Sequence, residues 1–319
     1  MKIAIMGAGA LGGAFGFLLA EAGFDVTLVD VDEAKVDAIL SEGLTLMMPD
    51  GSSRHRSIRA TTDPAEVGHV DLVQVAVKGY HTLSAAEFAL PLVGPDTYML
   101  SLQNGLGNLD RIASVVGPER VVGGITAHSA MSMGPTTIRF NAGKGGIHIG
   151  RFDGDRDDGL VRLADLFSVA GLEGHVIEGD VHEPIWRKLL ANSSVNPVAA
   201  LMGLTGREIQ EMEEAAGLVR ALACETGAVA RAQGFTFAEL DDPGEFVIRT
   251  LDWVGDNKVS MLQDVEAGRR TEIDTLNLAV VERGEKYGVD TPLNWTIGSL
   301  VRTMERKMLR DRRDGGGVA

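Results

Sequence analysis

One lysine and two carboxamides recur at a four-residue spacing in the stretch Ile185-Trp186-Arg187-Lys188-Leu189-Leu190-Ala191-Asn192-Ser193-Ser194-Val195-Asn196-Pro197. On a helix each step of four returns close to the same face, so Lys188, Asn192 and Asn196 drift by only about 80° in all. They form a narrow polar stripe. The rest of the circumference carries Trp186, Leu189, Leu190, Val195, Val198 and Leu201, the pattern of a buried helix. A buried polar group without a partner costs on the order of a few kcal/mol. A bound polar substrate supplies those partners. The competing reading is the solvated edge of an ordinary amphipathic helix. The rest of the chain decides between them.

A second group of reactive residue types lies further on, in Ser260-Met261-Leu262-Gln263-Asp264 and Arg269-Arg270-Thr271-Glu272-Ile273-Asp274. Ser260 reads as a helix start, and Thr271 with Asp274 fits a capping pattern. Caps and surface ion pairs are the plain account of these acids. Glu272 stands apart, between an arginine pair and the apolar Ile273, Leu276 and Leu278. A carboxylate beside a lysine in a dry site tunes acid–base chemistry.

The third group opens the chain. A short apolar run, Lys2-Ile3-Ala4-Ile5-Met6, precedes Gly7-Ala8-Gly9-Ala10-Leu11-Gly12. Residues 10 to 22 read as a helix with Gly23 at its C-terminal end. A second strand, Val26 to Val29, ends at Asp30. Strand, glycine loop, helix, strand and acid in that order predict a dinucleotide site. Gly7 permits the tight turn, Gly9 the approach of a pyrophosphate to the helix N-terminus, and Gly12 close helix–strand packing. Asp30 falls where an acid accepts the ribose hydroxyls of NAD.

The elements that position these groups follow from periodicity. Residues 71–77, 98–102 and 121–125 read as further buried strands, with Lys78 and Asn104 just past the carboxyl ends of two of them. Ligands of open α/β sheets bind at those ends, so both residues are candidates for one crevice. Residues 134–150 resemble a hairpin around Asn141–Gly146, 157–170 a helix and 174–177 an edge strand. Beyond about residue 181 the strand patterns stop. Helices are expected over 182–202, 206–233, 243–254, 260–267, 270–287 and 293–309. The fold class is therefore an α/β Rossmann-type N-terminal domain with a mostly parallel doubly wound sheet, followed by an all-helical C-terminal domain. The expected domains are 1–180 for dinucleotide binding and 181–310 for substrate and catalysis, with 311–319 a disordered tail.

Composition narrows the partners. The chain has 319 residues, 45% hydrophobic and 24% charged, with a formal net charge of −15. That balance disfavours nucleic acid and anionic membrane surfaces. Its single cysteine, Cys224, allows no intramolecular disulfide and sits in an apolar helical pattern that reads as core. The chain enters a strand directly, without a signal-peptide pattern, and no apolar run has the length of a membrane span. A cytoplasmic location is expected, and no metal site.

Taken together, Gly7 to Gly12, Val77-Lys78, Leu102-Gln103-Asn104-Gly105, Trp186-Arg187-Lys188-Leu189 with Asn192 and Asn196-Pro197, and Ser260 to Asp264 followed by Thr271 to Asp274 resemble the ketopantoate reductase (2-dehydropantoate 2-reductase) family over almost the whole chain. The resemblance implies a Rossmann domain, a helical domain and reduction of 2-dehydropantoate to (R)-pantoate for pantothenate and coenzyme A biosynthesis. It implies Lys188 as general acid and Glu272 as its acidic partner. It implies Asn192, Asn196, Ser260 and Asn104 at substrate, and Lys78 and Asn104 at the cofactor with Gly7, Ala8, Gly9, Ala10, Leu11, Gly12 and Asp30. NADP(H) is the family norm. Members that prefer it carry an arginine just past the second strand, where this chain has Val31, then Asp32 and Glu33. An acid at Asp30 repels a 2′-phosphate, so NAD(H) is the expected preference. A smaller departure is Asn277-Leu278, where many members have Asn-Gly. The expected partner is a small 2-oxo acid; oligomeric state is open, a homodimer included.

Two rival readings stand beside this one. The first is a dehydrogenase of another small 2- or 3-hydroxy acid. The second is a non-catalytic dinucleotide-binding sensor, which needs neither Lys188 nor Glu272.

Overall fold

Short aliphatic runs separated by glycine turns build the first part of the chain. The structure is a computed structural model that describes the backbone of residues 1–315 and the side chains of residues 1–312. The chain forms two compact units, Met1–Gln103 with Asn108–His182, and Asn104–Gly107 with the chain from Glu183 onward.

The first unit contains β1 (Lys2–Met6), α1 (Ala10–Glu21), β2 (Asp25–Val29), α2 (Glu33–Glu42), β3 (Leu44–Met47), β4 (Ser53–Arg56), β5 (Arg59–Thr61), β6 (Val70–Val75), α3 (Thr82–Phe88), β7 (Val93–Ser101), α4 (Asn108–Val116), β8 (Val121–Thr126), β9 (Ser129–Ser132), β10 (Thr137–Asn141), β11 (Ile147–Arg151), α5 (Asp158–Val169) and β12 (Gly174–Val176). Its main sheet has the order β12-β11-β8-β7-β6-β1-β2-β5. Neighbours run parallel except β11 against β8. From β1 the chain passes to β2 on one side and later to β6 on the other. That reversal is the switch point at which open α/β sheets bind ligands.

A second sheet, β4-β3-β10-β9, was not expected from sequence. Helix α1 packs against β1 and β2 of the main sheet and against β3, β9 and β10 of the small one. Its buried face is therefore nearly its whole surface, from Gly12 to Leu19. Adjacent glycines serve the two sides. A Cβ on Gly12 would lie 2.1 Å from the Gly7 carbonyl oxygen, and one on Gly13 would lie 2.5 Å from Ile138 Cδ1.

The expected hairpin over residues 134–150 is corrected. β10 pairs with β9 and β3, whereas β11 pairs with β8 and β12. Ala142 to Gly146 thus links two sheets. Strand pairing is decided by partners far away in sequence, and local pattern does not contain them.

The second unit is helical: α6 (His182–Met202), α7 (Gly206–Glu211), α8 (Glu213–Ala232), α9 (Pro243–Val254), α10 (Ser260–Glu266), α11 (Asn277–Tyr287) and α12 (Pro292–Gly315). Four expectations change here. The helix over 206–233 is two helices, because Met212 is extended (φ −102°, ψ 108°) between a Thr205–Glu208 capping box and the acidic first turn of α8. The helix over 270–287 starts at Asn277. Residues before it form a turn in which the Glu272 carbonyl accepts from Thr275 N and Leu276 N, both at 3.1 Å, so Thr271 caps no helix. Residues 311–315 are helical rather than tail. Arg306, Lys307, Arg310 and Arg312 are strong helix formers, and their charges suit a helix C-terminus; residues 316–319 lie outside the described residues. Cys224 is exposed, since the buried face of α8 runs through Val219, Leu222, Thr226 and Val229. Among the described residues no helix is long and apolar enough to cross a membrane.

Gly12→Ala tests the close approach of α1. The carbonyl it meets belongs to a tight turn that has little room to shift, so the substitution is expected to destabilise the protein by about 3 kcal/mol, read as the urea unfolding midpoint. A loss below about 1 kcal/mol would show that the turn yields.

Candidate active site

The first unit gathers the glycine loop and Asp30. Gly7 takes φ +102°, a backbone region open to glycine, and its N–H donates to the Val29 carbonyl at 2.7 Å. Ala8 N–H donates to Asp30 Oδ2 at 2.7 Å, and Asp32 N–H to Asp30 Oδ1 at 3.1 Å. The loop and the acid are thus fixed to each other. Gly9 is the N-cap of α1 and no side chain caps the helix. The free N–H groups of such a helix start suit a pyrophosphate. Ala10 and Leu11 stand in this first turn, partly exposed. A Cβ on Gly7 would lie 2.9 Å from Val77 Cγ1, so the residues following β6 adjoin the loop. Lys78 stands there, partly exposed. These residues fit a bound dinucleotide.

The second unit carries the stripe. Lys188, Asn192 and Asn196 lie on α6. Lys188 and Asn192 are partly exposed, and Asn196 is buried. α6 starts where Asp180 Oδ1 accepts His182 N–H at 2.9 Å. Protein packed around the Lys188 ammonium withholds water and pulls its pKa down from 10.5 to about 8, against the charge of Glu272, which raises it. Glu272 itself is buried. An ammonium kept largely protonated at neutral pH, but able to release its proton easily, suits general-acid work.

Glu272 is held by its neighbours in sequence. Thr271 donates from N (2.6 Å) and Oγ1 (2.7 Å) to Oε2 of the buried Glu305 on α12. On the other side, Asp274 binds Arg270 Nη2 at 2.8 Å and Arg302 of α12. Burial disfavours the Asp274 carboxylate, yet Arg302 and Arg270 hold its pKa below the usual value. Glu305 and Arg302 are one helical turn apart, so a single face of α12 braces both flanks of Glu272. Sequence reading missed both residues: an arginine and a glutamate in a charged terminal helix look like solvated surface.

The loop Asn104–Gly107 belongs to the same unit. Leu106 N–H donates to the Thr275 carbonyl at 2.8 Å. Gly105, at φ +86°, comes so close that a Cβ there would lie 2.3 Å from that oxygen. Asn104 is thereby tied to the turn that carries Glu272, while Lys78 belongs to the first unit. Ser260 opens α10 with an exposed side chain, outside this hydrogen-bond network.

Known proteins share this architecture. The family described as ketopantoate reductase PanE/ApbA matches residues 3–154, and its C-terminal counterpart matches residues 180–305. The 2-dehydropantoate 2-reductase of Pyrococcus abyssi is 34% identical over 305 residues, 96% of this chain and 98% of that protein. The enzyme of the same description from Halobacterium salinarum is 33% identical over 308 residues, 96% and 99% of the two chains. Among solved structures, a ternary complex of D-mandelate dehydrogenase with NADH and anilino(oxo)acetate has a TM-score of 0.90 at 28% identity, covering 97% of this chain and 99% of that one. A PanE/ApbA family ketopantoate reductase from Ralstonia eutropha JMP134 has a TM-score of 0.87 at 31% identity, again over 97% and 99%.

Glu272→Gln tests the electrostatic link directly. Removing the carboxylate removes the influence that raises the Lys188 pKa, so the lysine should titrate below its present value of about 8. NMR of ε-13C-labelled lysine across pH 5–11 reads the midpoint. An unmoved or raised midpoint would break the link.

Proposed function

The chain belongs to the ketopantoate reductase family, nicotinamide-dependent oxidoreductases acting on CH–OH groups, and on that premise we propose that it reduces 2-dehydropantoate to (R)-pantoate. The observation that carries this reading is the desolvated Lys188 ammonium beside the Glu272 carboxylate, in a chain that aligns over 96% of its length with named 2-dehydropantoate 2-reductases.

When bound, the nicotinamide supplies a hydride to the carbonyl carbon of the 2-oxo acid. Lys188 gives its proton to the ketone oxygen as negative charge develops there, and ends neutral. Its pKa of about 8 means that solvent reloads it at neutral pH. Glu272 keeps the ammonium charged between turnovers. Asn192, Asn196, Ser260 and Asn104 hold the polar groups of the substrate, and residues 181–310 form the substrate side of the enzyme. Gly7, Ala8, Gly9, Ala10, Leu11 and Gly12 cradle the pyrophosphate, with Lys78 at the same end of the sheet. A second reading, a dehydrogenase of another 2-oxo acid, draws support from the 0.90 TM-score to D-mandelate dehydrogenase. A panel of 2-oxo acids assayed with both reduced cofactors separates the two by kcat/KM.

Lys188→Ala is expected to lower kcat by roughly 10²–10⁴-fold, the usual worth of a positioned acid, with NADH affinity unchanged. Near-normal turnover would remove Lys188 from the mechanism.

The same reading includes a preference for NADH. The Asp30 carboxylate is fixed to the glycine loop by Ala8 N–H, an orientation that suits ribose hydroxyls. A 2′-phosphate about 4 Å from it is repelled by roughly 4 kcal/mol per charge pair at an effective dielectric of 20, before relaxation and salt. Val31 is 78% exposed and brings no cation, and Asp32 caps α2 through Lys35 N–H. Two similar solved structures are NADH complexes of D-mandelate dehydrogenase. The expected result is a higher kcat/KM with NADH, and a shift toward NADPH in Asp30→Ala/Val31→Arg. A tenfold advantage for NADPH in the unaltered enzyme would overturn this preference and leave the reductase reading intact.

A further inference from the structure

Pro197 lies inside α6, directly after the last residue of the stripe. Proline has no N–H, so the Ser193 carbonyl, four residues back, loses its helical donor. Ser193 is completely buried, where water does not readily replace that donor. The structure supplies one from another helix. Asn277, the first residue of α11, donates from Nδ2 to the Ser193 carbonyl at 2.6 Å.

The amide that does this is itself fixed. Asn277 Nδ2 also donates to Asn294 Oδ1 at 2.9 Å. Asn294 Nδ2 donates to Glu225 Oε2 at 2.7 Å, and the Asn294 N–H donates to the same oxygen at 2.7 Å. The Ser193 hydroxyl meets Thr226 Oγ1 at 3.0 Å. Ser193, Thr226, Asn277 and Asn294 are all completely buried. The network therefore ties α6 to α8, α11 and α12 at the turn that separates Asn192 from Asn196. Around it α6 is already softened, since the Ser193 and Ser194 hydroxyls bond back to the Leu189 and Leu190 carbonyls at 2.8 and 2.6 Å, a habit that bends helices.

We infer that Asn277 is a positioning residue: its amide replaces the N–H that Pro197 lacks, and so sets the path of α6 from Lys188 and Asn192 to Asn196. A fully buried carboxamide has no packing advantage over an aliphatic residue; its worth lies in the bonds it makes. The functional half of the inference rests on the reading of the stripe as proton donor and substrate holder. The departure Asn277-Leu278 leaves this asparagine in place and changes only its neighbour.

The test is a double-mutant cycle of Asn277→Ala and Pro197→Ala, read by thermal unfolding and by steady-state kinetics with 2-dehydropantoate and NADH, with Lys188→Ala in the same assay. Pro197→Ala restores a backbone N–H for the Ser193 carbonyl. Asn277→Ala should therefore lower Tm by several degrees in the wild-type background, and by less than a third of that in the Pro197→Ala background. Equal losses in the two backgrounds would overturn the replacement. Pro197→Ala alone should hold or raise Tm, yet lower kcat/KM for the 2-oxo acid about tenfold through KM, with the Kd for NADH changed less than twofold. This arm needs no folded Asn277→Ala protein. Wild-type kinetics in Pro197→Ala and Asn277→Ala, with Lys188→Ala inactive, would sink the positioning role while sparing the reductase reading. Wild-type turnover in Lys188→Ala would sink that reading itself.

Discussion

A lysine ammonium withheld from water is the costly element of this protein. Desolvation is the larger influence on Lys188 and pulls toward the neutral form, while Glu272 pulls toward the charged one. The balance depends on a carboxylate that is itself buried. A buried carboxylate and a largely desolvated ammonium help each other only where geometry is fixed and their remaining bonding capacity is met. Hence the investment in the turn 270–276. Thr271 is anchored by Glu305, Asp274 by Arg270 and Arg302, and the Glu272 carbonyl accepts from Thr275 and Leu276. These contacts do not touch the lysine. They restrict where the carboxylate that raises its pKa can be.

The first unit solves a related problem with backbone instead of side chains. In the proposed binding mode a dinucleotide's phosphates are met by N–H groups of a helix start, which needs helix, loop and strand closer than side chains permit. Gly12 against the Gly7 carbonyl, and Gly13 against Ile138, remove the obstructing Cβ atoms on both sides of α1. The Asp30 carboxylate accepts from Ala8 N–H with one oxygen and from Asp32 N–H with the other. A charge used structurally in this way is held in one orientation.

What was legible in the sequence were features written in neighbouring residues. The β1–loop–α1–β2 order, the stripe on α6 and the change from strands to helices near residue 181 all show in windows of about twenty residues. What was illegible depends on partners far along the chain. Ser53-Arg54-His55-Arg56 has no apolar alternation, yet becomes β4 because β3 lies beside it, and β3 in turn pairs with β10 from some ninety residues on. The β10 and β11 runs look like two arms of one hairpin, but each finds a different sheet. Glu305 reads as surface because the Thr271 it binds lies 34 residues away. Pro197 was read as part of a motif, and its vacated carbonyl became meaningful only with Asn277 against it.

On the proposed mechanism, the choice of lysine at position 188 follows from the same energetics. A guanidinium resists deprotonation at any physiological pH, so an arginine there would steady an oxyanion but release a proton reluctantly. A histidine starts near 6.5, and the desolvation that lowers Lys188 would leave its imidazole mostly neutral at pH 7, with no charge for a developing alkoxide. Lysine begins high enough for burial to bring it only to about 8. There it is still mostly charged at neutral pH and close enough to that pH to give up its proton and regain it. Packing around α6 lowers the lysine, and Glu272 opposes that fall.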